Sequence, residues 1–340
     1  MSEPNTEGGP PSDGRSLRTL RVAQPERPLR PYPDGWFMVA RSGDLGRRTA
    51  IPLSYFGREL VAYRDGSGTA VVADAFCPHV GAHLGHGGQV VDGELQCPFH
   101  HWRFGEGGRC THVPYAPRPA RVGLHHWPVD ERNGLIWVFY HAEGAEPDYR
   151  IPDVEEATEP GWSRPLLLSA RWNAHPIESQ ENFLDEGHFN PIHGQEGPME
   201  IGLETDGPFA SATTRLHAPV LGPRLTFEGS AQLAGPGFSV IRARGLISMA
   251  VMCIPTPIDE ERTEFRLLVI ARNPGRIRLL GAVIAQFLRA YTRLHFRREG
   301  EIWHRRTYHR TPSYSSLDKA LPRFRRWYMQ FCGQSAGPPE

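Results

Sequence analysis

Apolar residues between Pro31 and about residue 145 come in short runs, and turn-forming dipeptides separate these runs. The runs at residues 37–40, 60–64, 70–73 and 135–140 are rich in Val, Phe, Tyr and Leu, and Asp65-Gly66 and Asp92-Gly93 are typical turn sequences. Short aromatic and β-branched runs between such turns predict strands. The first part of the chain is therefore predicted to be an all-β domain.

The second part of the chain combines two kinds of apolar pattern. Runs at residues 166–171, 224–233, 238–246 and 265–271 predict strands, whereas residues 279–296 and 317–331 predict helices. Six apolar residues in the first helix recur with the helical period: Leu280, Val283, Ile284, Phe287, Tyr291 and Leu294. The overall prediction is an α+β protein of two domains, joined by a stretch at 143–160 that is rich in Glu, Pro and Asp.

Composition and charge narrow the functional classes. The 340 residues carry 38 basic and 38 acidic side chains, and this balance argues against nucleic acid as the main partner. Five scattered cysteines do not form a disulfide framework and no apolar leader opens the chain, so we expect a cytoplasmic location. Residues 1–30 are rich in Pro, Gly, Ser and charge and are predicted to form a disordered arm. Residues 277–294 include three arginines and are too polar to form a transmembrane segment.

Two short motifs place a cysteine beside a histidine: Cys77-Pro-His79 and Cys97-Pro-Phe-His100, with 17 residues between His79 and Cys97. Two such loops can close around one metal centre, because each holds its two side chains on one side. The ligand set fits a tetrahedral zinc, and it equally fits a 2Fe–2S cluster with both thiolates on one iron and both imidazoles on the other. One Cys and one His from each loop favours the cluster, since zinc knuckles more often carry two cysteines.

The other histidines of this segment, His83, His86 and His101, do not fit the spacing and are predicted to be surface or supporting residues. His101 adjoins His100, so a ligand exchange between them is conceivable, but the Cys-x-x-His spacing favours His100. Cys110 also lies outside the four-ligand pattern, and we expect it to be a buried free thiol.

A second group of candidate ligands follows at residues 181–193, which read ENFLDEGHFNPIH. On a helix, Asp185 and His188 would share a face at i, i+3, and His193 would follow a break at Pro191. Two histidines and a carboxylate are the ligands of a non-haem Fe(II) site that leaves positions open for O2. Alone, this pair of histidines is weak evidence for an iron site. Downstream of a motif for an electron-carrying cluster, the same pair becomes strong evidence.

The pattern C-x-H-x17-C-x2-H followed by E-x3-D-x2-H-x4-H resembles that of the Rieske non-haem iron oxygenases, and the likeness runs from about residue 31 to residue 331. Five stretches are most similar to the ketosteroid hydroxylase and sterol desaturase branch: PYPDGWF, YFGREL, CPHVGAHLG, CPFHHWRF and RNGLIWVFYH. The resemblance implies an all-β Rieske 2Fe–2S domain at residues 31–145. It also implies an α+β catalytic domain at residues 146–340, with a central antiparallel sheet flanked by helices and a mononuclear iron.

The resemblance implies roles for the residues of the first motif. Cys77 and Cys97 would hold one cluster iron, and His79 and His100 would hold the other. The electrons would come ultimately from NAD(P)H through a ferredoxin or flavin reductase. We expect that reductase to be a separate protein, because the chain has no nucleotide-binding G-x-G-x-x-G sequence of its own.

The resemblance also implies roles for the second motif. His188 and His193 would bind the mononuclear Fe(II), and Asn182 would lie near it. Asp185 would link His188 to the cluster ligand His100 of a neighbouring subunit as the path for electrons. That link requires a ring-shaped oligomer, usually a homotrimer.

The third iron ligand is less clear from the sequence, because the family places an Asp where this chain reads Arg298-Glu299-Gly300-Glu301. The resemblance puts Glu299 at the ligand position, although the helical period from Leu280 would place Glu301 closer to the apolar stripe. We expect Gly300 to break the helix, which favours Glu299. The extra methylene of Glu relative to Asp would shift the carboxylate by roughly 1.5 Å.

The expected activity is that of a monooxygenase component that uses O2 to oxidise an apolar polycyclic substrate, such as a steroid or a specialised metabolite. The sequence does not separate hydroxylation, desaturation and cyclisation. The alternative is a Rieske electron-transfer or binding protein without oxygenase activity, and the departure at Glu299 is its main support.

Overall fold

The computed structural model describes residues 29–194, 200–217, 226–245, 247–309 and 312–333. The predicted disordered arm falls almost wholly outside these residues. Its last two residues do not belong to an arm, because Leu29 is buried in the same core as the C-terminal helix and Arg30 lies 3.6 Å from the carboxylate of Asp34. The ordered structure therefore begins by residue 29.

The first domain contains three small antiparallel sheets, as the short apolar runs predicted. Its strands are β1 Gly35–Arg41, β2 Ile51–Tyr55, β3 Arg58–Arg64, β4 Ala70–Asp74, β5 Gln89–Val91, β6 Glu94–Gln96, β7 Arg103–Phe104, β8 Cys110–His112, β9 Val129–Arg132 and β10 Leu135–Tyr140. The sheet orders are β1-β10-β9, β2-β3-β4 and β5-β6-β7-β8. Two-residue turns with positive φ join β5 to β6 and β9 to β10, at Asp92-Gly93 and Asn133-Gly134.

The second domain has one seven-stranded antiparallel sheet with helices packed beside it, which confirms the α+β prediction. Its strands are β11 Leu166–Trp172, β12 Gly202–Asp206, β13 Phe209–His217, β14 Thr226–Ala234, β15 Ser239–Arg244, β16 Met249–Pro257 and β17 Thr263–Ala271, in the order β11-β17-β16-β15-β14-β13-β12. Its helices are α1 Glu155–Thr158, α2 Ile177–Asn182, α3 Phe189–His193, α4 Arg278–Trp303 and α5 Leu321–Tyr328. The predicted strand at 224–233 begins at residues that the structure does not describe. The predicted strand at 238–246 ends at such a residue.

Strands β16 and β17 are buried along almost their whole length, because both faces of the sheet are covered. Since successive strand residues point to opposite faces, alternate side chains enter different cores. Val251, Cys253 and Leu267 pack with α4, whereas Met252 and Leu268 pack against residues of the first domain. The two domains thus share a core, and the second sheet is held rigidly between the first domain and α4.

Polar contacts fix the same junction. The Thr256 hydroxyl and the Arg266 guanidinium donate to the Met38 carbonyl at 2.8 Å and 3.1 Å. Arg266 also contacts Tyr55 and Glu264, and the Tyr55 hydroxyl donates to Glu264 at 2.9 Å. A buried ion pair costs desolvation, so its stability depends on such additional hydrogen bonds.

Helix α4 corrects two expectations. It does not break at Gly300 but continues to Trp303, and the glycine serves a close approach, since an added Cβ would lie 2.0 Å from Cζ2 of Trp172. Most of its predicted apolar stripe does not face the core, because Leu280, Val283 and Phe287 are exposed, although Ile284 packs against the core. The buried face carries a different set of residues, which combines small, large apolar and acidic side chains: Gly281, Ala285, Leu288, Phe296, Glu299, Gly300 and Trp303.

The C-terminal helix is shorter than expected, with α5 ending at Tyr328 and a 3-10 turn following at Met329–Cys332. Among the described residues, no helix is both long and apolar enough to cross a membrane.

Candidate functional site

The two loops that carry the Cys-His motifs share one backbone frame. In each, the cysteine carbonyl accepts a hydrogen bond from the N–H four residues later, from Gly81 to Cys77 at 2.9 Å and from His101 to Cys97 at 3.2 Å. In each, the cysteine N–H donates to the carbonyl five residues later, at 2.9 Å and 2.8 Å. Identical frames present the two cysteines in the same way, although their sequences differ.

The shared frame supports the prediction that His100, and not His101, is the cluster ligand. The fourth position after each cysteine has positive φ, 79° at Gly81 and 56° at His101. A non-glycine residue is uncommon in that left-handed conformation. Here the two backbone hydrogen bonds of the loop hold His101 in it. His101 therefore holds the turn that corresponds to Gly81.

The motif side chains lie in two pairs, with the Cys77 thiol beside that of Cys97 and the His79 ring beside that of His100. Cys77 and Cys97 are buried, whereas His79 and His100 are exposed, with ring centroids 4.7 Å apart. The His79 ring stacks on Trp102 at 4.3 Å, which fixes its orientation. Burial raises the pKa of the Cys77 thiol to about 11, so only a bound cation would keep it a thiolate at neutral pH.

Exposed apolar side chains surround the two histidines at the tip of the domain: Phe76, Val80 and Phe99. His83 and His86 lie beside this tip with ring centroids 4.5 Å apart, and Nδ1 of His83 accepts from the Gly85 N–H at 3.1 Å. Cys110 is buried as expected, and its thiol approaches the His112 carbonyl at 3.7 Å. All five cysteines are free.

The second group of candidate ligands comes together from the 3-10 turn that ends at His188, from helix α3 and from helix α4. His188, His193 and Glu299 offer ligand atoms that all lie within 4.8 Å of one another. The two Nε2 atoms are 3.1 Å apart, and His193 Nε2 is 2.9 Å from Glu299 Oε1. Burial lowers the pKa of His188, which keeps its imidazole neutral as a metal ligand requires.

The chain around Asp185 is not the single helix that the sequence predicted. Asp185 has an extended backbone and caps a 3-10 turn at Glu186–His188, accepting from the Gly187 N–H at 3.0 Å. The His188 Nδ1 hydrogen bond goes to the Asp185 carbonyl at 2.6 Å, while the carboxylate lies 4.0 Å away. Pro191 is not a break, because it occupies the first turn of α3, where its missing N–H has no partner to lose.

Glu299 and Glu301 have different surroundings on α4. Glu299 is buried beside His193, whereas Glu301 is exposed and pairs with Arg305 at 3.2 Å. Helical geometry explains the split, since residues two apart on a helix point about 200° apart. The geometry favours Glu299 over Glu301 as the third ligand.

A cavity of about 190 Å³ adjoins the three candidate ligands. Its walls are mainly apolar and aromatic, and they come from α2, α3, α4 and strands β15, β16 and β17: Phe183, Phe189, Ile241, Met249, Val251, Leu267, Phe296 and Trp303. Asn182 lines the same cavity, as expected for a residue near the iron. An apolar cavity with a few convergent polar groups is typical of a small-molecule site.

Three further residues that the sequence did not identify as site residues line the cavity: Cys253, Tyr291 and His295. The His295 ring lies 4.8 Å from the His193 ring and 4.4 Å from that of Tyr291. Burial raises the pKa of the Cys253 thiol to about 12, so this thiol stays neutral. The helical spacing of Tyr291, His295 and Glu299 at i, i+4 and i+8 was visible, but the direction of that face was not.

A buried charge network holds α2 behind the cavity. The Glu181 carboxylate accepts from Arg325 at 2.7 Å and 2.9 Å and from Arg306 at 3.2 Å, and Arg306 also contacts Glu178. Burial raises the pKa of Glu178 to about 7. Helix α5 is thereby tied to the helix that carries Asn182.

The donor chemistry of both groups fits the implied metals. Two buried thiols and two adjacent imidazoles match a Rieske 2Fe–2S cluster, and two imidazoles with one carboxylate match a mononuclear Fe(II). No competing donor group of this kind appears elsewhere among the described residues.

Comparisons with known proteins agree with this geometry. Residues 35–128 match the Rieske [2Fe-2S] domain, and residues 138–332 match the 3-ketosteroid 9alpha-hydroxylase C-terminal domain. The second match alone covers more than half of the chain.

Proteins similar to this chain include a sterol desaturase, the oxygenase component of a steroid monooxygenase and a structurally similar monooxygenase. A cholesterol 7-desaturase of Xenopus laevis is 29% identical, with 97% of this chain and 80% of the relative covered. The oxygenase component of a 3-ketosteroid-9-alpha-monooxygenase from Mycobacterium tuberculosis is 30% identical, with coverages of 88% and 82%. The crystal structure of dicamba monooxygenase bound to dicamba superposes with a TM-score of 0.70 at 20% identity, covering 88% of this chain and 96% of that one.

The matched domains, the relatives and the two donor sets lead to one assignment. The chain belongs to the Rieske non-haem iron oxygenases, in the family of the 3-ketosteroid 9alpha-hydroxylase C-terminal domain, and is an enzyme with a Rieske cluster and a mononuclear iron that receives electrons from a separate protein.

Proposed function

We propose that this oxygenase oxidises an apolar polycyclic substrate, with a steroid as the leading candidate. The observation that carries the proposal is the apolar cavity beside His188, His193 and Glu299. The relatives named for cholesterol and 3-ketosteroids support the same substrate class. Hydroxylation, desaturation and cyclisation all remain possible outcomes at this site.

In this proposal His188, His193 and Glu299 hold the mononuclear iron, and Cys77, Cys97, His79 and His100 hold the cluster. When bound, the cluster supplies single electrons and the iron supplies O2 activation. Glu299 replaces the Asp of the family pattern, and its carboxylate at 2.9 Å from His193 Nε2 supports a ligand role despite the longer side chain. The same contact argues against an electron carrier that has lost its second site.

The chain's own residues orient the site. The Asp185 carbonyl accepts from His188 Nδ1 and so directs Nε2 toward His193 and Glu299. The apolar side chains of the sheet and the aromatic side chains of the helices exclude water from most of the cavity wall. At about 190 Å³ the cavity is smaller than the pockets of about 300–1,000 Å³ that enclose drug-sized ligands. The cavity therefore takes the reacting part of the substrate, and the rest extends toward its opening.

We also propose a homotrimer, in which the exposed tip with His100 and Phe99 seats against the neighbouring subunit near Asp185. Exposed cluster ligands within an apolar tip support this contact, since isolated apolar tips mark interaction sites. The Asp185 side chain is one-third exposed, with a relative accessibility of 33%, and is free to accept a second contact. A ferredoxin or a flavin reductase would reach the cluster from the remaining exposed side.

The five free cysteines support a reducing compartment, and we propose that the protein is cytoplasmic. Cell fractionation tests this location. Recovery in an oxidising compartment with paired cysteines would contradict it.

The experiment that tests the function is turnover of a steroid panel by the iron-loaded protein with a surrogate ferredoxin, its reductase and NADH. We expect an O2-dependent product that carries an added hydroxyl or has lost two hydrogens, detected by mass spectrometry. A Glu299→Ala variant should yield none, while Glu301→Ala should retain activity. NADH consumption without any steroid product, together with turnover of a small polar substrate, would refute the substrate class.

A further inference from the structure

The predicted apolar stripe of α4 faces outward. Val283 and Phe287 are 60% and 52% exposed, and Leu279, Leu280 and Leu294 extend the same face. Their spacing of three, four and seven residues places them along one side of the helix. At about 1.5 Å per residue, this apolar face is about 22 Å long. Soluble proteins rarely expose so continuous an apolar surface without a partner.

A basic row runs along one edge of this face. Arg289, Arg293 and Arg297 follow one another at i, i+4 and i+8, and they line an open groove of about 490 Å³ between α4 and the edge strand β11. No acidic residue occurs between Arg278 and Arg298, although the whole chain carries no net charge. The asymmetry of charge is therefore local to this helix.

The charge pattern discriminates between occupants of the face. A second copy of the chain docked by a twofold axis would pair this face with itself, and with the two helices antiparallel the arginine rows would lie against each other. An anionic bilayer instead receives the apolar side chains in its acyl layer and the arginines at its phosphates. Arginine is suited to this geometry, since its stem lies along apolar surface while its guanidinium reaches the headgroups.

The same helix reaches the cavity at its other end. Tyr291 lies between Phe287 and Leu294 on the helix surface and lines the cavity with Thr292 and His295. Phe287 is twelve residues before Glu299, or about 18 Å along the helix. The apolar face thus begins away from the ligands and ends at Leu294, beside the cavity-lining residues Tyr291 and His295.

We propose that the outward face of α4, formed by Leu279, Leu280, Val283, Phe287 and Leu294 with Arg289, Arg293 and Arg297, docks the enzyme on anionic membrane surfaces. The helix lies parallel to the bilayer and does not span it. An apolar substrate dissolved in the membrane then has a short path along Tyr291 into the cavity. Docking requires no substrate, so its test is independent of the steroid proposal.

The test is flotation of the iron-loaded protein with vesicles of phosphatidylcholine alone or mixed with phosphatidylglycerol, without substrate. We expect binding to the mixed vesicles that weakens as salt is raised, and little binding to phosphatidylcholine alone. Val283→Asp with Phe287→Asp should abolish flotation. Arg293→Gln with Arg297→Gln should weaken it on the order of 10-fold or more.

Matched controls separate docking from damage to the fold. Leu317→Asp changes another exposed apolar residue, and Arg323→Gln with Arg326→Gln removes two exposed arginines of α5. Both should float like the parent, and every variant should keep the cluster absorbance and the parent melting temperature. Failure of the parent to bind mixed vesicles would overturn the proposal. So would a change in oligomer mass on sedimentation of the Val283→Asp, Phe287→Asp variant, because the face would then be an interface between copies.

Discussion

The two metal-ligand groups of this protein are built in opposite ways. The cluster ligands lie within 24 residues of one another on two loops with identical backbone hydrogen bonds. The candidate iron ligands combine His188, at the end of a 3-10 turn, and His193 of α3 with Glu299 of α4, 106 residues after His193. The first group is held by local backbone geometry and the second by the packing of helices on a sheet. A local group should therefore tolerate disturbance of the fold that would disperse a long-range one.

The largest effect should come from removing a cluster thiolate. Cys97→Ser removes a buried ligand from one of two matched loops, and a hydroxyl does not replace a thiolate on the cluster. We expect complete loss of acid-labile sulfide and of cluster absorbance, with the Fe(II) site still able to bind one iron. Cys110→Ser, at the buried thiol of this domain that lies outside the two motifs, should keep the full sulfide content. Loss of both metals in Cys97→Ser would show that the two groups are not independent.

Removing the long-range ligand should empty the other site. Glu299→Ala should release the mononuclear iron, retain the cluster and lower product formation by at least about 100-fold. Glu299→Asp restores the residue of the family pattern and should recover iron binding. Equal loss of iron in Glu301→Ala would contradict the assignment, since Glu301 is exposed and pairs with Arg305.

Asp185 should matter to the link between the groups and not to either group alone. His188 is held through the Asp185 backbone carbonyl, which a substitution leaves in place. Asp185→Ala should therefore retain iron and sulfide while lowering coupled product formation by about 10–100-fold. Single-turnover yield from the pre-reduced variant reports this effect, and Asp185→Asn is the conservative comparison. A normal single-turnover yield would refute the proposed bridge to a neighbouring subunit.

Lowering the pH should release the metals of the two groups at different pH values, and this effect should be smaller than those of the substitutions. His175 is half-buried just before α2, where its Nδ1 accepts from the Ile177 N–H at 3.2 Å and its Nε2 contacts the Arg30 carbonyl at 3.0 Å. Burial lowers the pKa of His175 from 6.5 to about 4. Its neutral form therefore stabilises the fold above pH 6.5, and this contribution is lost as the pH falls toward 4, at a cost of about 3 kcal/mol.

The measurement is the free energy of unfolding and the retained iron and sulfide between pH 7 and pH 4. We expect the mononuclear iron to leave before the sulfide does, because α2 and α3 depend on this packing and the cluster loops do not. His175→Gln should show a shallower dependence of stability on pH over the same range. Release of sulfide first would reverse the comparison.

The same contrast explains how much could be predicted from the sequence. The cluster motif was readable because its ligands are neighbours in the chain, and short spacing constrains short loops directly. The strands of the first domain could be predicted because Asp92-Gly93 and similar dipeptides impose turns. The motif at residues 181–193 was readable only in the company of the cluster motif.

The features that the sequence did not predict depend on tertiary direction. Periodicity identified a stripe on α4 but not that the stripe faces outward, because a stripe carries no direction until its neighbours are known. Gly300 suggested a break, yet it permits contact with Trp172. Asp185 and His188 suggested one helical face, yet a cap and a 3-10 turn join them. Cys253 and His295 line the cavity because strand β16 and helix α4 pack together there, and the sequence does not show that packing.

The most direct test of the account is the iron, zinc and acid-labile sulfide content of protein purified without air and never exposed to a chelator. The account predicts about three irons and about two sulfides per chain, with Cys97→Ser and Glu299→Ala each removing a different part. About two irons and two sulfides, with no further uptake of Fe(II), would contradict the second site. Zinc without sulfide would contradict the cluster itself.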